Sequence, residues 1–196
     1  GYDGPPPLTE VDGRSPIRMG GELLGGYRSH YIHRGERLGA NSVEGQIAGG
    51  ASLSDSWALS GELFSIRNWQ ARSFAQTSLH GELQYYLADE CTAGLFLNGQ
   101  WYDSCPLKSG VEPGLSLKWN PRPSWSFGGS FLYDSGQKGM YSQWGVTWQP
   151  LLAGSLAMVN TVSLGFAHDY LGRNGLKELM VRTGLLWAVS GSLKVE

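Results

Sequence analysis

Charge is scarce in this chain. Lys, Arg, Asp and Glu make up 16% of 196 residues, against about 25% in ordinary soluble domains. The net charge of −2 carries no basic surplus, which argues against a nucleic-acid binder. No run approaches the ~18 consecutive apolar residues of a transmembrane helix, so a helical membrane protein is excluded. The start, Gly1-Tyr2-Asp3-Gly4-Pro5-Pro6-Pro7, lacks the basic opening and apolar run of a signal peptide, and is read as a leaderless or processed end. Cysteine is limited to Cys91 and Cys105.

Glycine and tryptophan are abundant instead. The 29 glycines are about twice the usual ~7%, yet without the three-residue period of collagen. With 41% hydrophobic residues, disorder is disfavoured. The one architecture besides the helix that spans a bilayer is the closed β-barrel, which pairs every backbone group between strands.

The hydrophobic pattern supports it. From Trp125 to Asp134 one face carries Trp125, Phe127, Gly129, Phe131 and Tyr133, and the other Ser126, Gly128, Ser130, Leu132 and Asp134, the two-residue period of a strand. Ten strands are predicted, at 18–33, 43–53, 57–67, 77–88, 92–102, 110–119, 124–134, 139–149, 156–168 and 178–194. Most are near the ~9–11 residues that cross a bilayer at a tilt. The expected fold is all-β, an antiparallel up-and-down transmembrane barrel over 18–196 with eight or twelve strands as alternatives. Residues 1–17 form an extended periplasmic lead-in.

Short connections at 54–56, 88–91, 120–123 and 150–155 alternate with longer ones at 34–42, 68–76, 103–109, 135–138 and 169–177. That contrast predicts periplasmic turns opposite outside loops, with both termini periplasmic in a Gram-negative-type outer membrane. Trp57, Trp119, Trp125, Trp148 and Trp187 fall toward the short turns. Trp69 and Trp101, with Tyr31, Tyr133, Tyr141 and Tyr170, fall toward the long loops. Two aromatic girdles in the headgroup regions follow, with outer-membrane lipid as the partner.

The opposite face carries Arg28, Glu62, His80, Glu82, Glu112, Lys118 and Arg182, joined by Glu22, Glu44, Gln84, Asn98, Gln100 and Glu178. A buried charge is costly unless paired, so a lumenal network is expected, with Arg28 near Arg182 and Glu62 near Glu82. Ten strands lie close to the eight whose interior side chains fill. Any path is therefore narrow, for ions or small solutes, and the bland alternative is a polar plug. Cys91 and Cys105 fall toward opposite ends of one strand, which forbids a disulfide. His30, His33, Asp103, Ser104, Asp134, Ser135, His168, Asp169 and Tyr170 gather at the rim. They offer a weak lipid or peptide hydrolase as an alternative, without a nucleophile motif. An accessory subunit of an envelope complex is a third reading. No catalytic residue, metal or cofactor is expected.

The run Tyr27-Arg28-Ser29-His30-Tyr31-Ile32-His33-Arg34-Gly35, followed by Val43-Glu44-Gly45-Gln46, resembles the opening of TorF-type outer-membrane porins. The resemblance covers about thirty residues and implies a small outer-membrane barrel of porin-like transport function. The C-terminal Leu193-Lys194-Val195-Glu196 departs from the terminal aromatic common in such barrels.

Overall fold

The computed structural model describes residues 19–34, 36–69, 74–103, 107–153, 156–190 and 193–195. The expected lead-in lies outside them. Among the described residues all regular structure is β. The ten long strands are β1 (Met19–His33), β2 (Glu36–Ser52), β3 (Trp57–Asn68), β4 (Ala75–Ala88), β5 (Cys91–Asp103), β6 (Gly110–Arg122), β7 (Trp125–Asp134), β8 (Gly139–Trp148), β10 (Leu156–Tyr170) and β11 (Arg173–Ser190). Two three-residue strands, β9 (Leu151–Ala153) and β12 (Leu193–Val195), complete one antiparallel sheet. β9 pairs with the start of β10, on which β8 also lies. Between β8 and β9 stands Pro150, which has no N–H for the ladder.

Each long strand follows its neighbour up and down, as the period-two reading requires. Two corrections concern the connections. The predicted loops at 34–42 and 169–177 are mostly strand, because His33 pairs with Glu36 and Tyr170 with Arg173. The tip at 171–172 turns through two left-handed residues, Leu171 at φ 53° and Gly172 at φ 68°. This is the geometry that matches strand twist in a two-residue hairpin. Leucine rarely adopts it, so the turn left little trace in the sequence. The contrast between long and short connections is correspondingly weaker than expected.

The third correction is at the C-terminus. The predicted strand 178–194 ends at Ser190, and β12 folds back onto Trp187–Ser190. β1 and β12 are therefore the two edges of the sheet, and among the described residues no ladder joins them. Side chains nevertheless bridge the two ends of the sheet at one rim, here the mouth, where β1 passes into β2 and β10 into β11. There Lys177 on β11 donates to Glu36 on β2, and Arg173 Nη1 lies 3.7 Å from the same Glu36 oxygen.

The sheet sorts the side chains by face. Leu23, Ile47, Leu63, Leu79, Leu95, Leu115, Val162 and Leu179 are all exposed on the outside, while Glu62, His80, Glu82, Gln100, Glu112 and Asp134 are buried within. Two apolar clusters lie inside near the mouth. One joins Phe96, Leu132, Tyr141, Ala167 and Tyr170; the other joins Tyr31, Ile66 and Phe74.

Candidate functional site

The centre of the lumen at the mouth is Arg34, at the tip of the first hairpin with φ 48°. Its guanidinium crosses the interior to β6, where Nη1 and Nη2 donate to the two oxygens of Glu112 at 2.6 and 2.7 Å. Nη1 also donates to Asp134 Oδ2 at 3.3 Å and to Tyr170 Oη at 3.1 Å. The Tyr141 and Tyr170 rings lie 5.2 and 5.5 Å from its central carbon, within cation–π range. Side-chain exposure is 9% for Arg34, 0% for Glu112 and 3% for Asp134. Such burial is tolerable because the fork satisfies both carboxylate oxygens at once.

A hydrogen-bonded chain converges on the same carboxylate. Tyr31 Oη donates to Gln76 Oε1 at 2.9 Å, Gln76 Nε2 to Gln100 Oε1 at 3.1 Å, and Gln100 Nε2 to Glu112 Oε2 at 3.5 Å. Asn98 Nδ2 adds a bond to Glu112 Oε2 at 3.2 Å. Every link points its donor toward Glu112, an arrangement that suits an ionised carboxylate. Asp134 is fixed separately, since its Oδ1 accepts from the backbone N–H groups of Gly136 and Gln137.

A second layer lies deeper. Asn98 turns its oxygen to His80 Nδ1, which donates to it. His80 Nε2 stands 3.6 Å from Glu82 Oε2, which also accepts from Gln84 Nε2 at 3.0 Å. The other Glu82 oxygen accepts from the Ser116 hydroxyl. Glu82 belongs to β4 and Ser116 to β6, so the contact passes over Gly94 of the intervening β5, where a Cβ would overlap both side chains. The same arrangement recurs on the other wall. Tyr141 of β8 donates to Glu178 of β11 at 3.0 Å across Gly165 of β10, where a Cβ would collide with the tyrosine.

The expected lumen residues divide among these features. Glu112 is in the knot and His80 and Glu82 are in the second layer. Glu62 is buried opposite His80, its cross-strand partner, whereas Glu82 faces Ser60. Lys118 lies part-buried two residues beyond Ser116 on β6. Arg28 pairs with Glu44 at 2.5 Å, and the Arg182 guanidinium lies 4.0 Å from Met180 Sδ.

Arg34, the centre of the knot, was expected in a loop. Its one available signal was the glycine that follows it, a residue type common at turns. The girdle requires a correction too. Trp57, Trp69, Trp101, Trp119, Trp125, Trp148 and Tyr133 are exposed, while the Trp187 side chain lies outside the described residues. Tyr31, Tyr141 and Tyr170 are buried in the lumen, because their hydroxyls find Gln76, Glu178 and Arg34 there.

Of the rim candidates, Asp134 and Tyr170 meet on Arg34. His168 and Asp169 are exposed, and Ser135 Oγ accepts from the Val111 N–H. Ser104 and Cys105 lie outside the described residues, and Cys91 is a free thiol. Among the described residues no His, Cys, Asp and Glu group could hold a metal ion. No protein-family model matches this chain, and no curated protein matches it.

Proposed function

We propose that the chain is a bacterial outer-membrane β-barrel with both termini periplasmic, in which a buried polar knot and two apolar clusters fill the mouth half of the lumen. The observation that carries this reading is the inverted polarity: exposed aliphatic and aromatic side chains outside, and most of the buried charge inside. A soluble barrel has the opposite preference, since water rewards a polar exterior and an apolar core. The filled mouth favours a structural barrel over an open channel, and kinship with TorF-type porins belongs to the same proposal.

The test is reconstitution into vesicles whose acyl chains carry bromine. Strong quenching of the girdle tryptophans is expected, and unquenched emission from the folded protein would sink the membrane reading.

A narrow porin-like path is the second reading. It is favoured by the wall away from the mouth, where Gly128, Ser130, Gly145 and Thr147 are small or polar and Gly128 remains exposed. Planar-bilayer recordings separate the two. The structural reading expects no current at neutral pH, and the porin-like reading expects small steps that change with Glu62→Ala/Glu82→Ala.

A further inference from the structure

The sheet edges at the mouth are held by side chains whose charges titrate. Glu36 takes Lys177 and Arg173 from β11, and Arg34 takes Glu112, Asp134 and Tyr170 from the far wall. Among the described residues no backbone ladder joins β1 to β11. The ion pairs at the mouth therefore run to three carboxylates, those of Glu36, Glu112 and Asp134. We propose that these groups form an acid-released latch: protonating them frees Arg34 and Lys177 and lets the β1 and β11 edges part.

The direction follows from the described groups around Arg34. β1 contributes Tyr31 and His33, β2 Glu36, β5 Tyr102, β6 Glu112 and β7 Asp134. Tyr141 of β8 and Tyr170 of β10, with Glu178 of β11 on Tyr141 and Lys177 of β11 on Glu36, are the other charged and titratable groups there among the described residues. β3 and β4 present the uncharged Ile66 and Gln76, with His80 one link further through Asn98. Acid neutralises the carboxylates, adds positive charge to histidine and leaves tyrosine unchanged. Each change makes the surroundings of a buried guanidinium more positive. Arg34 cannot lose its own charge, and a buried cation without counter-charge is expelled into water.

The latch rests on side-chain geometry and not on the membrane reading, so the two fail separately. Spin labels at Leu23→Cys on β1 and Leu179→Cys on β11, both exposed outside, would be read by pulsed dipolar spectroscopy after Cys91→Ser and Cys105→Ser. One narrow distance is expected at neutral pH. In acid the distribution should broaden and lengthen by about one strand spacing, ~4.8 Å, or more. Glu36→Gln/Glu112→Gln/Asp134→Asn should show the long distribution at neutral pH with no further response. A wild-type distance unchanged from neutral to acid would overturn the latch, as would an acid response retained in the triple variant. If the triple variant does not fold, Glu36→Gln alone must shorten the acid excursion or move its midpoint, and an unaltered transition would equally refute it. Bromolipid quenching of the same labelled protein reports separately on insertion.

Discussion

Arg34 grips Glu112 with two parallel hydrogen bonds of 2.6 and 2.7 Å, and the carboxylate has no contact with solvent. Neither residue is stable in that position alone. The pair is the point at which the first hairpin is fastened to the opposite wall.

Removing the cation should therefore cost more than the contact is worth. Arg34→Ala strands Glu112 and Asp134 without their counter-charge, and breaking a buried pair from one side typically costs about 3–5 kcal/mol. Arg34→Lys restores the charge without the fork and should recover only part of that loss. Urea unfolding of the detergent-solubilised protein would measure both. An unchanged midpoint in Arg34→Ala would mean that the knot does not stabilise the fold.

Gly94 and Gly81 make a matched pair on adjacent strands. A Cβ at Gly94 meets Glu82 and Ser116, whereas at Gly81 nothing lies within 4 Å. Gly94→Ala should lower stability by about 1–3 kcal/mol, the usual penalty of overpacking. Gly81→Ala should stay within about 0.5 kcal/mol, as for a surface change. Equal effects would show that Gly94 is not the gap through which Glu82 reaches Ser116.

Leu115 discriminates the solvent outside. It is exposed on β6 between Leu95 of β5 and Phe131 of β7. Arginine there should cost about 2–4 kcal/mol if the position faces the middle of a bilayer, but about 0.5 kcal/mol or less if it faces water. Folding equilibria in lipid vesicles give the number directly.

Glu36 lies at the end of the first hairpin, paired with His33. Trp69 bonds the backbone of Asn41, and Glu36 is five residues further along the same hairpin. The hydrogen bond from Lys177, aided by its charge and that of Arg173 against a smaller burial penalty, holds the Glu36 carboxyl below the ordinary carboxylate range. Because the folded-state value is lowered, this tie contributes fully above the unfolded value and is lost as pH falls through the folded one. Amide exchange at His33 and Arg173, corrected for intrinsic rates, should accelerate below the ordinary carboxylate range. In Glu36→Gln it should already be fast at neutral pH. Protection that is identical in wild type and variant at neutral pH would remove Glu36 from the seam.

Period two was enough to place Glu62, His80, Glu82 and Glu112 indoors, since alternation is a local property of each strand. It failed where the answer depended on a turn or on a third strand. Arg34 enters the lumen only because the chain reverses within two residues, and the left-handed geometry at Leu171 has no favoured residue to announce it. Tyr31, Tyr141 and Tyr170 suit a headgroup girdle as well as a lumen, and their hydroxyl partners on other strands decide the matter. Gly94 and Gly165 are likewise silent in one dimension: each is a gap for side chains from the strands on either side.

The partners of Arg34 stand 78, 100 and 136 residues away along the chain. Closing loops of that size carries an entropic cost that must be met before the contact can form, and such distant pairings come together slowly. The first hairpin can form early, but its arginine finds Glu112, Asp134 and Tyr170 together only after β10 has been added. Loop-closure entropy therefore predicts that the knot assembles late. Until it does, the guanidinium and both acids remain hydrated, so burial of Arg34 marks the moment at which a growing sheet becomes a finished one.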